Sequence, residues 1–139
     1  MKSEWLERGF LQLPHFKLIL SEKEWLRETG LKDVEWIASG AGATSHIFRE
    51  TKDGEVGKIL VCIKTHTDFG GDFSVWLGLL VHEVSHFIDA TEFPIGVDNT
   101  EEVKAYATQC CFLQLLWDYE RQVGSEVRLI RKKKKRKKK

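Results

Sequence analysis

Apolar and polar residues recur along the chain in blocks whose periods differ. His15–Leu20 (HFKLIL) has the short, apolar-rich make-up of a strand. Ser21 follows, with Glu24 three residues on, the spacing of a capping box; the helix it opens runs to Thr29, and Gly30 closes it. Leu31–Ala43 carries neither period and ends in Ser39-Gly40-Ala41-Gly42-Ala43, too short and wrongly spaced for a nucleotide loop and read here as a flexible connector. Thr44–Glu50 and Lys58–His66 are β-rich runs around Asp53-Gly54, which predicts a hairpin. Two strands cannot stand alone, so the first strand and a helix must cover one face. Asp68–Asp72 is a turn, and a helix is predicted over Phe73–Ala90, apolar nearly all round in its first half as a buried central helix should be. Pro94 and Gly96 mark Thr91–Asp98 as a loop. The longest helix is predicted from about Asn99 to Val123, with Val103, Ala107, Cys110, Leu113, Leu116 and Trp117 as its inward stripe. These elements predict an α+β class: a small antiparallel or mixed sheet packed on a buried central helix and a long C-terminal helix.

Composition sharpens the picture. A chain of 139 residues, 42% hydrophobic with five Trp and eight Phe, has the size of one domain with a single core. The nine residues from Arg131 to Lys139 are all basic, so residues 1–130 carry 13 positive and 21 negative groups and stand at −8 against a tail of +9. Like charges in a block repel and stay solvated, which divides the chain into a domain over 1–130 and a disordered basic appendage over 131–139. Cys62, Cys110 and Cys111 make no C-x-x-C pair, and the last two are adjacent, a spacing that disfavours a disulfide framework and fits a reducing, cytoplasmic setting. No segment has the uncharged apolar length of a membrane span, and the first residues lack the apolar stretch of a signal peptide.

The chemistry is concentrated in His82-Glu83-Val84-Ser85-His86, an H-E-x-x-H pattern inside the predicted central helix. A four-residue step places the two imidazoles about 40° apart on one helix face, where both can reach one ion. The donor set suits Zn²⁺, and Glu83 is placed to act as a general base. Two histidines and a glutamate in so apolar a helix would each require a partner. Hydrogen-bonded core histidines are the plain alternative, one that leaves Glu83 unexplained.

A catalytic zinc site ordinarily takes three protein ligands and one exchangeable water. Glu92 stands at the third-ligand position of the longer H-E-x-x-H-x-x-G-x-x-H pattern, but Asp89 replaces its glycine, and a continuing helix would carry Glu92 off the face. Glu102, sixteen residues after His86 and near the start of an antiparallel last helix, is the favoured ligand, with Ala105, Tyr106 and Gln109 on its face; Glu101 is the nearby rival. The alternative for Glu102 is a helix-capping role with Asn99, although Asp98 with Glu101 offers an equivalent cap. Tyr106 is a candidate donor to a developing oxyanion, or a packed tyrosine. Asp89 shares the ligand face and is a candidate acceptor for the second N–H of a ligand imidazole. His46 could line a cleft, His66 reads as a surface-strand residue and His15 as structural. An exposed strand edge beside the metal helix would bind an extended peptide by strand addition.

The segment GLLVHEVSHFID followed by EEVKAYATQ resembles a group of small phage and prophage proteins with a gluzincin-like H-E-x-x-H plus E-x-x-A-Y signature; FKLILSEKEW and the ATSHIF and KILVCI runs extend the likeness over about residues 14–120. The resemblance implies a minimal zincin-like α+β domain in the host cytoplasm, zinc held by His82, His86 and Glu102, and Glu83 as base. The expected function is a zinc-dependent hydrolase acting on peptide or protein substrates. A zinc-stabilised binding module without catalysis is the rival, and the tail offers a non-specific tether to nucleic acid or another anionic partner. The enzymatic expectation rests on the acid of the last helix returning to the two imidazoles.

Overall fold

The computed structural model describes residues 2–8, 13–49, 56–91 and 101–124. Strands β1 (His15–Ile19), β2 (Ala43–Arg49) and β3 (Val56–Ile63) form one mixed sheet in the order β1-β3-β2. β1 runs parallel to β3, and β2 pairs antiparallel with it, so the expected hairpin is present and the first strand joins on its far side. Three helices complete an α+β fold: α1 (Glu22–Thr29), α2 (Phe73–Ala90) and α3 (Glu101–Val123).

Alternation along the strands decides which layer each side chain enters. Phe16, Leu18, Ile59, Val61 and Ile63 point to one face and form the main core with α2 and α3. Ile19, Leu60 and Cys62 point to the other, where Trp25 of α1 closes a second, smaller core. Lys17 shares that second face, with its Nζ 2.8 Å from Glu28 and 4.5 Å from the centre of the Trp5 ring.

The caps follow the sequence in part. Ser21 Oγ accepts the N–H of Glu24, as expected, but the Glu24 carboxylate is engaged by Ser3 Oγ at 3.0 Å, so half of the reciprocal box forms. Gly30 ends α1 in the left-handed conformation, φ 67°, that a side chain would disfavour. Asp72, read as a turn residue, caps α2 by accepting from the N–H groups of Ser74 and Val75.

Three expectations are corrected. The first half of α2 is not buried all round, since Val75 and Val81 are 48% and 54% exposed. The inward stripe of α3 starts from Ala107 as expected but continues through Cys111, Leu115 and Tyr119; Cys110 and Leu116 pack only partly buried against the core, and Trp117 faces solvent. His66 is also not on a strand surface: β3 ends at Ile63, and His66 lies buried in a 3-10 turn (His66–Phe69). There its backbone N–H donates to Tyr119 Oη at 2.7 Å, and its Nδ1 meets the same hydroxyl at 2.5 Å. Tyr119 in turn stacks on Trp76, with ring centres 3.8 Å apart, which ties α3 to both α2 and the end of β3. Among the described residues no helix is long and apolar enough to cross a membrane. Glu92 and the capping pairs built on Asp98 and Asn99 lie outside the described residues, as does the basic tail.

Candidate functional site

A cleft of about 480 Å³ lies between β2 and the C-terminal half of α2. Its strand wall is Ala43, Thr44, Ser45 and Ile47; its helix wall carries His82, Glu83, His86 and Asp89. Residues of both strand parities line it, so the cleft runs along the strand's edge and not only over one face.

That edge is open. β2 ends the sheet and, among the described residues, pairs only with β3. The opposite edge is partly occupied, because Leu6 N–H donates to Phe16 O of β1 at 3.0 Å. An unpaired strand edge is a row of free donors and acceptors, and here it borders the H-E-x-x-H residues.

On α2 the motif behaves as its spacing requires. His82 and His86 are exposed, their rings edge to face at 80°, with Nε2 atoms 3.1 Å apart. Two nitrogens at about 2.05 Å from a tetrahedral ion are about 3.3 Å apart, so the pair needs only a few tenths of an ångström to hold zinc. Glu83 differs sharply: it is 3% exposed, and its Oε2 accepts the Ser45 hydroxyl at 2.6 Å. The requirement for a buried partner thus applies to Glu83 alone, and Ser45 meets it. Ser45 escaped the sequence reading; the available signal was its parity with Ala43 and Ile47 on the strand face that turns to α2.

Glu102 is not brought to this pair. It is exposed in the first turn of α3, as is Glu101, and among the described residues no three His, Cys, Asp or Glu side chains gather to hold an ion. The helical wheel explains why. α3 meets α2 along a groove lined by Val81, Val84, Ala105, Gln109 and Phe112, and Val81 and Val84 lie about 150° around the α2 axis from the histidine pair. Ala105 and Gln109, expected beside Glu102 as a site wall, line that groove instead. Tyr106 is 61% exposed on α3 and takes no part in the cleft.

The other histidines stand apart from it as well. His46 is on the far face of the sheet, with Nε2 2.8 Å from Trp36 O and its ring 4.3 Å from that of Trp25. His15 is exposed, edge-on to Trp5. Beneath the strand wall, burial and the nearby charge of Glu83 push the Cys62 thiol well above its ordinary range. Compared with known proteins, the chain matches no family model, no curated protein and no solved structure.

Proposed function

We propose that the protein is a zinc-dependent hydrolase of extended peptides, a zincin-like domain in which the β2 edge holds the substrate and His82 and His86 hold the metal. The observation that carries this reading is one cleft in which two adjacent imidazoles, a buried glutamate and, among the described residues, an unpaired strand edge meet. When bound, zinc supplies a Lewis acid that polarises an amide carbonyl and makes water more acidic. Glu83 does the proton work. Its Oε2 is held by Ser45, while among the described residues no hydrogen bond engages Oε1, which is left to take a proton from the attacking water. Once the C–N bond breaks, the same carboxyl returns that proton to the departing nitrogen. The backbone of residues 43–47 aligns the peptide by strand addition, so substrate orientation needs few side-chain contacts.

A second reading is favoured by one observation: the described residues offer two ligands where catalytic zinc sites ordinarily take three. In that reading zinc is bound for docking a partner and nothing is cleaved. Zinc content and cleavage of an unfolded protein mixture, each with and without chelator, separate the two. The hydrolase reading expects about one zinc per chain, chelator-sensitive cleavage, and a Glu83→Gln variant that keeps zinc and loses turnover. Zinc uptake with no cleavage favours the docking module. Equal zinc content in the wild type and a His82→Ala/His86→Ala variant would end both.

A further inference from the structure

Asp89 is the one residue on the helix wall whose placement works against the helix that carries it. It lies in the last turn of α2, where unpaired carbonyls leave the helix end partially negative and where a cation, not a carboxylate, is stabilising. No basic residue occupies that turn, and among the described residues Asp89 makes no hydrogen bond or ion pair. It is exposed and lines the cleft one turn beyond His86. Among the described residues no Lys or Arg lines that cleft, whose other ionisable groups are the imidazoles of His82 and His86, so Asp89, Glu83 and the end of α2 give it a negative character. A local rule broken at a site's rim points to a role in that site.

From this placement we infer that Asp89 is a specificity-determining residue that selects peptides carrying a Lys or Arg side chain. The inference rests on the peptide reading given above and adds the substrate's charge. Its position also sets where the cation falls. Gly42 packs against Leu79, to the point that a Cβ would sit 3.0 Å from Leu79 Cδ1, and Ser45 bonds to Glu83, so β2 and α2 advance in the same direction. Asp89 therefore lies toward the Ile47 end of the strand wall. A peptide adding antiparallel to β2 enters at that end, which puts the Lys or Arg on the N-terminal side of the bond presented to Glu83.

Strand addition offers backbone recognition that is blind to sequence, and alternate side chains that enter the cleft supply the selectivity. An exposed carboxylate–cation pair is worth up to about fivefold in affinity, less at high salt.

The test is a peptide titration of the full-length, metal-free protein, followed through the backbone amide resonances of Thr44–Ile47. The probes are blocked Ala/Ser heptapeptides with Lys, Arg, norleucine or Glu at one position, scanned along the peptide. The expected result is binding of the Lys and Arg peptides about fivefold tighter than the norleucine peptide, with the preference lost in 1 M salt and in Asp89→Asn. Asp89→Lys should reverse it toward the Glu peptide. Asp89→Asn should also melt no lower than wild type, since it removes an unfavourable charge from the helix end. Equal affinities for the Lys and norleucine peptides, a preference that survives in Asp89→Asn, or no resonance shift with any peptide overturns the assignment. Zinc uptake and cleavage are measured separately on the same variants. A protein that shows the charge preference but takes up no zinc keeps the Asp89 assignment and loses the hydrolase reading; one that cleaves without charge preference does the reverse.

Discussion

Burial divides the residues of the H-E-x-x-H segment, and the division sets what each substitution costs. His82 and His86 face water and touch each other, so removing either imidazole disturbs no core packing. His82→Ala should abolish zinc binding while shifting metal-free stability by no more than about 0.5 kcal/mol, as surface substitutions do. Ser45→Ala should behave in the opposite way. It leaves the largely buried Glu83 carboxylate without its donor, an expected loss of about 1–3 kcal/mol, while both imidazoles keep their place. Urea unfolding of the metal-free variants beside zinc titration checks the contrast, and a His82→Ala variant destabilised as much as Ser45→Ala would contradict it. The cysteines give a pH test. Burial raises the thiols of Cys62 and Cys111 far above the ordinary 9.0, with the charge of Glu83 adding to the effect at Cys62. A thiol whose folded value is raised resists ionisation only while the fold persists. Its contribution is therefore intact below about pH 9 and lost as pH climbs above that value, where the unfolded chain ionises first. Stability should be level through neutral pH and fall on the alkaline side. Iodoacetamide at pH 8.5 should modify the half-buried Cys110 before the other two; rapid modification of Cys62 in the folded protein would refute the burial argument.

At the scale of the element, the joint between α3 and the rest rests on Tyr119. Its hydroxyl serves both the backbone N–H and the Nδ1 of His66, and its ring stacks on Trp76. Tyr119→Phe keeps the ring and removes the hydroxyl, so a loss of about 1–3 kcal/mol in denaturant unfolding is expected, with the cleft between β2 and α2 unaffected. An unchanged unfolding midpoint would show that the two hydrogen bonds contribute nothing. This joint was not legible in the sequence, because it pairs residues 53 apart, and nothing local marks His66 as buried. What was legible is local: the Ser21 cap and Gly30 stop of α1, the paired runs of β2 and β3, and the extent of α2 from Phe73 to Ala90. The imidazole pair was legible for the same reason, since a four-residue step fixes its geometry within one helix. The position of Glu102 depended on the rotation of α3 around α2, which is set by packing. An inward stripe through Ala107, Cys111 and Leu115, about a residue away from the one the apolar pattern suggested, places α3 against Val81 and Val84 and leaves Glu102 outside the cleft.

For the whole molecule, charge and fold are separable. α3 stops at Val123, with Gly124 at φ 70° and its N–H on Glu120 O at 2.8 Å, a geometry that ends the helix before the basic run begins. The last turn is already fastened within the domain: Gln122 Nε2 donates to Leu18 O at 3.0 Å, and Arg121 to Lys2 O at 2.7 Å. These contacts hold the end of α3 within the described residues. Deleting residues 131–139 takes the net charge from +1 to −8, and added self-repulsion is the only cost expected. The truncated chain should keep its circular dichroism, its unfolding midpoint at moderate salt and whatever zinc uptake the full chain shows. It should lose any affinity for polyanions, because such binding draws on released counterions, scales with the number of phosphates neutralised and falls steeply with salt. Heparin chromatography of both forms checks this, with the full chain retained at low salt and released as salt rises, and the truncated chain not retained. If truncation lowered the unfolding midpoint or removed zinc, the run would have to be holding the −8 domain together, and the −8 body could no longer be treated as a fold that stands by itself.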